Sequence, residues 1–309
     1  MGVGAGEVPA AAASRVESAT PRQSSHNITF KTSSVKPSQA RSWNTKNLGF
    51  RLGADVAAAA TAGGMVAPVI TMIDRAIIEN AARGTGITPS LRRSLLTLLT
   101  RPHTFLLSRP FFLVFALYTG TYTTANALDT LTSTLTCRPA SSSSGGPAKF
   151  AATSAANLSL CLYKDSQFTR LFGAAPPSCG AAAARAVPAA SYALFAARDC
   201  LTIFASFNLP PLLAPSLHLG PAVERYVSRA SAAQFLAPAA VQLVSTPLHL
   251  LGLDLFNRNG DTAWRSRVAK VRADWVKSAI ARVARVVPAF GVGGVVNLRV
   301  RGGIMKGLE

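Results

Sequence analysis

Acidic side chains are scarce in this 309-residue chain: 13 Asp and Glu stand against 32 Lys and Arg, for a formal charge of +19 and a pI near 11.0. Such an excess of cations can mark a surface that neutralises phosphates. No helix-turn-helix, RNA-recognition or zinc-finger pattern accompanies it, so nucleic acid is not an expected partner. Cysteine is sparse too. Cys137, Cys161, Cys179 and Cys200 form no CxxC pair, which excludes a clustered thiolate metal site and leaves buried or loop thiols. The chain also lacks a nucleophile with its base, a carboxylate pair and a phosphate loop. The GVGG run at Gly291–Gly294 has no strand before it, no third glycine and no later acidic residue, and fits close helix packing. Neither an enzyme nor a cofactor or bound metal is expected.

Charge as a whole is low, at 15% of residues, while 49% are hydrophobic and mean hydropathy is +0.28, values shifted toward membrane proteins. The longest apolar stretch runs from Ala230 to Phe256, with Asp254 its only fully charged residue. At 1.5 Å per residue it exceeds the roughly 30 Å hydrocarbon core of a bilayer. Pro238, Pro247, Gln234, Gln242, Ser245 and His249 lie inside it. Polar groups at membrane depth need neighbouring helices or a water-filled cavity, so this helix belongs to a bundle.

Five further segments read as spans. Ala54–Ile78 is rich in small residues, with Ala58, Ala62, Gly63 and Gly64 permitting close approach and Pro68 marking a kink. Pro110–Leu131 opens on an aromatic and aliphatic run and closes on Asn126 and Asp129. Lys149–Tyr163 is shorter and less apolar, and Pro188–Leu213 carries Arg198, Asp199 and Asn208. Val286–Val300 is short and glycine-rich, with the basic helix before it available to extend it.

Between these lie stretches of another kind. In Arg83–Arg109, Leu91, Leu95, Leu98 and Leu99 fall at helical spacing among arginines, the pattern of a short amphipathic helix at an interface. Arg258–Arg285 interleaves Arg265, Arg267, Lys270, Arg272, Lys277 and Arg282 with Trp264 and Trp275 and reads as a basic interfacial helix with aromatic anchors. Pro139–Pro147 is a Ser/Gly linker. Lys and Arg concentrate in alternate connections, the first-to-second, third-to-fourth and fifth-to-sixth, as a six-span bundle obeying the positive-inside bias requires, with both termini on the opposite face. The expected organisation is a disordered basic tail over 1–52, which is either a plain tail or a mitochondrial targeting region, a six-helix membrane domain over 53–301 and a short tail over 302–309.

The AGGMVAPVITMIDR run from Ala62 to Arg75, the STPLHLLGLDLFNR run from Ser245 to Arg258 and the basic connections after them resemble the mitochondrial carrier family. The resemblance spans Ala54 to Arg301 and implies an all-α membrane protein: a six-transmembrane-helix bundle of three two-helix repeats with short amphipathic connecting helices. The family's Pro-x-Asp/Glu-x-x-Lys/Arg signature is worn, because Ile70 and Ile73 follow Pro68 and His249 and Gly252 follow Pro247 at the charge positions. Asp74 with Arg75, and Lys164 with Asp165, are shifted candidates for gate pairs. Adjacent residues point about 100° apart on a helix, so these groups are expected to pair across helices.

Ionisable residues inside a span are site candidates. Arg198 and Asp199 lead as groups for a small anionic solute in a central cavity, with a structural ion pair the plain alternative. His249, Gln242, Asn126 and Arg299 join them as cavity candidates, and Pro68 and Pro247 are the expected helix kinks. Two functions stay open: a divergent solute transporter of a mitochondrial membrane, inner or outer, and a non-transporting carrier-derived scaffold for membrane organisation or protein interaction. The expected partners are the lipid bilayer with its anionic lipids, a small-molecule solute for the transporter, and proteins for the scaffold.

Overall fold

The computed structural model describes residues 43–139, 146–174, 186–218, 220, 224, 228–258 and 262–308. Nearly all of them are helical, and no strand occurs among the described residues. Most of the expected tail, residues 1–42, lies outside them, as do the heart of the Ser/Gly linker and Cys179.

Helix α1 runs Leu48–Arg83 and so begins inside the residues assigned to the tail. Gly84 ends it in the left-handed region, φ 67°, where its N–H reaches Asn80 O, a conformation glycine adopts without a Cβ clash. Two short helices follow, α2 at Ile87–Thr100 and α3 at Pro102–Leu106. Helix α4, Arg109–Thr136, starts where the Ser108 side chain accepts the Phe111 N–H and a proline occupies the first turn. Then come α5 at Gly146–Phe172, α6 at Ala189–Leu213 and α7 at Arg229–Asn257. Pro68 and Pro247 lie within α1 and α7, and both helices continue through them.

Among the described residues, three stretches are long and apolar enough to cross a bilayer: Leu48–Arg83, Ala232–Asn257 and Trp264–Met305. Helices α4, α5 and α6 have spanning length, at 28, 27 and 25 residues. Their hydroxyls are partly satisfied within the helix, as when Thr121, Thr124 and Thr132 donate to carbonyls one turn back.

The C-terminal third departs from expectation. The basic stretch after Arg258 is not a separate interfacial helix. Helix α8, Trp264–Ala284, continues through a π-helical turn at Val287–Gly293 into α9, Gly294–Met305, as one 42-residue helix. Its cations explain the difference, because those on one face are consumed inside the bundle: Arg267 bonds Asp254, and Arg282 Nε donates to Gln242 Oε1 at 2.9 Å. Trp275 Nε1 donates to Leu243 O at 2.8 Å and ties α8 to α7, while Trp264 stays exposed. Helix α8 packs along α7, and α9 packs along α1.

The crossover between those partners is the π-turn. There the Tyr122 hydroxyl donates to Ala289 O at 2.9 Å, and a Cβ on Gly293 would fall 2.5 Å from Tyr122 Oη and 2.8 Å from Val66 Cγ2. The glycine run thus does serve close packing. Gly63 plays the same part between α1 and α4, where a Cβ would fall 2.5 Å from Thr119 Oγ1. The expected tail 302–309 is also engaged: Met305 is buried, and Leu308 O accepts from Asn47 Nδ2 at 3.1 Å.

Candidate functional site

A continuous line of buried ion pairs crosses the middle of the bundle. Arg285, at the end of α8, places Nη1 2.7 Å from Asp74 Oδ1 on α1. Asp74 Oδ2 meets Lys164 Nζ of α5 at 2.5 Å, and Lys164 in turn lies 2.6 Å from Asp165 Oδ1. Asp165 Oδ2 accepts from Arg198 Nη2 of α6 at 2.6 Å, and that same nitrogen contacts Asp199 Oδ1 at 2.5 Å. Arg198 Nη1 also lies 3.0 Å from His249 Nδ1 of α7. Five long helices are therefore joined at one level.

Within such a layer each charge depends on its neighbours. An unpaired charge in a low-dielectric interior is costly, and breaking one member of a buried pair typically costs about 3–5 kcal/mol. Here three cations and three carboxylates alternate, so nearly every charge has an opposite neighbour. The Lys164 ammonium also sits 5.3 Å from the Phe168 ring centroid.

Two buried atoms of the layer, Arg198 Nε and Asp199 Oδ2, are left over. Asp199 is 5% exposed, yet its Oδ2 has no hydrogen-bond partner among the described residues. Asp199 lines a cavity of about 240 Å³ that opens from the layer. Asp74, Lys164 and Arg285 form the rest of its charged end. Away from the charges the walls carry neutral hydrogen-bonding groups: Thr153, Ser154 and Asn157 of α5, and Thr202 and Ser206 of α6. At 1.5 Å per residue Thr153 stands about 16 Å along α5 from Lys164. Thr153 Oγ1 is buried without a partner as well, whereas Asn157 Oδ1 lies 3.4 Å from Thr121 Oγ1. Tyr118, Tyr122 and the first turns of the π-segment close one side.

A second polar layer lies nineteen positions earlier on α1, about 28 Å away by helical rise. Arg301 Nε reaches Asp55 Oδ1 at 2.7 Å, and Thr130 donates to Asp55 Oδ2 at 2.6 Å. Asn126 and Asn297 exchange side-chain hydrogen bonds in both directions, at 2.8 and 2.9 Å. This layer joins α1, α4 and α9 and holds no cavity-lining residue. At the far end of α1, Glu79 accepts from Ser90 Oγ of α2 at 2.5 Å and from Arg75 at 2.7 Å, and Asn80 donates to Asp274 of α8 at 3.0 Å.

The expected site residues thus divide. Asp199 and Gln242 line the cavity. Arg198 and His249 lie behind them, buried in the ion-pair layer, and are not in the cavity wall. Asn126 belongs to the second layer. Arg299 is exposed and lines no part of the cavity; Arg301, two residues on, is the buried cation of that face. Of the gate-pair candidates, Asp74, Lys164 and Asp165 do pair across helices. Arg75 instead pairs along its own helix with Glu79, and its guanidinium lies over the Phe172 ring at 5.0 Å. Lys164 and Asp165 also touch each other, as do Arg198 and Asp199, because a long flexible cation can fold back across the 100° between neighbours.

Arg285 is the residue that sequence reasoning passed over. It closes a basic run and looks like one more surface cation. The apolar VVPAF segment that follows it is the signal that it lies within a helix long and apolar enough to cross a bilayer. Asp74, Asp165 and Asp254 offer another signal: they recur at intervals of about ninety residues, each on a long helix and each in a buried ion pair.

The model of a family described as Probable citrulline exporter matches residues 58–305, most of the chain. No curated protein matches. The match corrects the resemblance to mitochondrial carriers, whose family gives no match; the worn signature is simply not that family's. It also removes the main ground for a mitochondrial location; the other, the composition of the tail, falls mostly outside the described residues.

Proposed function

Because the chain belongs to the probable citrulline exporter family, we propose that it moves a small zwitterionic amino acid, citrulline by that family's description, out across the membrane it spans. On this reading α1, α4, α5, α6, α7 and the continuous helix α8–α9 all cross the bilayer, with the polar faces of α4–α6 turned inward. The solute occupies the 240 Å³ cavity.

The observation that carries the proposal is the unpartnered Asp199 Oδ2 facing a cavity that also holds Arg285 and Lys164. An α-amino acid presents an ammonium and a carboxylate on neighbouring atoms. Asp199 supplies an acceptor for the first, and the two cations supply donors for the second. The neutral far end, with Thr153, Ser154, Asn157, Thr202 and Ser206, suits a side chain that is polar and uncharged, such as a ureido group. A cavity this small favours an amino acid over a nucleotide. Arg198, Asp165 and His249 position Asp199 from behind, and Asp74 positions Arg285.

Export then requires the ion-pair layer to part. Charge-assisted bonds exchanged within a line of alternating charges can be replaced one at a time by bonds to the solute, so the layer is a fitting gate. The experiment is counterflow of radiolabelled citrulline into proteoliposomes preloaded with unlabelled citrulline. Accumulation above empty liposomes supports the proposal; none, from folded and correctly inserted protein, refutes it.

A further inference from the structure

We propose that the groove between α2 and α3 binds the headgroup of an anionic phospholipid. The groove is open, about 820 Å³, and is lined by Arg92, Arg93 and Arg101 among threonines. These three arginines are exposed, and none makes an ion pair with a carboxylate among the described residues. The hydroxyls of Thr97 and Thr104 donate to the carbonyls of Arg93 and Arg101 and leave the guanidiniums as the groove's donors. Three guanidiniums around one concavity match a phosphate, which they can bind with paired N–H donors.

The neighbouring side chains select a lipid over a soluble phosphate. Arg93 and Thr97 of α2, and Arg101 just past its end, follow at four-residue intervals and share one strip of the surface. The adjoining strip sets Arg92 among leucines: Leu95, Leu96 and Leu99, three, four and seven positions on, are 45%, 49% and 70% exposed. The remaining face is turned to the bundle, where Ser90 and Ser94 are buried and Leu91 and Leu98 pack on the core. Unpaired arginines beside bare leucines are what a helix presents when its apolar strip enters the acyl region and its cations stay with the headgroups. The place is right as well, since α2 follows directly on Gly84, which ends the span-length α1, and α4 begins at Arg109.

The test uses the full chain in a neutral detergent, with lipid retention read by native mass spectrometry. The lipids are phosphatidylglycerol and phosphatidylcholine of equal chain length, with glycerol phosphate as soluble competitor. The variants are Arg92→Gln/Arg93→Gln/Arg101→Gln and, as a control for total charge, Arg265→Gln/Arg272→Gln/Arg299→Gln. All six side chains are exposed and unpaired among the described residues, so both variants should keep the parent's thermal midpoint without added lipid. The parent and the control should retain phosphatidylglycerol about tenfold or more over phosphatidylcholine, and the groove variant should lose that preference. Equal retention of the two lipids by the parent, or an equal loss in the control, would overturn the proposal. Displacement by glycerol phosphate at the concentration at which the lipid binds would also overturn it and make the groove a soluble-anion site.

Discussion

Arg285 Nη1 and Asp74 Oδ1 stand 2.7 Å apart and join the end of α8 to α1 across 211 positions of sequence. Asp74 also holds Lys164, so the carboxylate serves two cations while Arg285 serves one carboxylate. Asp74→Asn should therefore destabilise the protein by about 3–5 kcal/mol and Arg285→Gln by clearly less, because Asp74 keeps Lys164 in the second case. Thermal unfolding in detergent orders the two. Exchanging the charges, Asp74→Arg with Arg285→Asp, should not rescue, since the new cation would face Lys164.

Asp199→Asn keeps the shape of the side chain and its contact with Arg198 but removes the charge offered to the solute. A charged hydrogen bond contributes about 1.5–3 kcal/mol, so the half-saturating citrulline concentration should rise roughly tenfold to a hundredfold. Counterflow at graded citrulline concentrations measures it. An unchanged value would remove Asp199 from the solute's path.

Asn126→Ala should separate stability from transport. It leaves Asn297 without the two reciprocal bonds it makes in the second layer, at about 1–3 kcal/mol for each group left unsatisfied. Because Asn126 lies outside the cavity, the half-saturating concentration should match the parent's once protein amounts are equalised.

Gly293→Leu should damage the crossover of the long helix far more than Tyr122→Phe. The first forces a side chain against Tyr122 and Val66; the second removes only the bond to Ala289 O, about 1 kcal/mol. Transport rate and thermal midpoint together would rank the pair, and a Tyr122→Phe defect as large as that of Gly293→Leu would contradict this account of the π-turn.

Much of the architecture was legible because apolar length and small-residue spacing are local properties. Ala54–Ile78 and Ala230–Phe256 both became long helices, and Gly63 and the Gly291–Gly294 run do admit close neighbours. The site was legible in part. Arg198, Asp199, Lys164, Asp165 and Asp74 stood out as charges within apolar surroundings. What remained hidden was their order. Whether Arg198 faces solute or another side chain depends on which helices meet at its level, a long-range fact that no window of sequence contains. Arg285, Arg282 and Arg267 were hidden differently, for a basic run reads as a solvated face until the partner carboxylates and Gln242 are placed beside it. The family likeness failed where it relied on helix rhythm, which many membrane bundles share.

Cys161 offers the most direct view of the central claim, because it lines the cavity on α5, about one turn before Lys164, yet is only 8% exposed. With Cys137, Cys179 and Cys200 replaced by serine, its reaction with a small membrane-permeant thiol reagent can be followed in proteoliposomes. Citrulline should slow that reaction in the parent at the concentrations that saturate counterflow, and Asp199→Asn should require at least tenfold more for the same protection. Labelling that proceeds at the same rate with and without saturating citrulline, in protein that still transports it, would contradict the placement of the solute in this cavity.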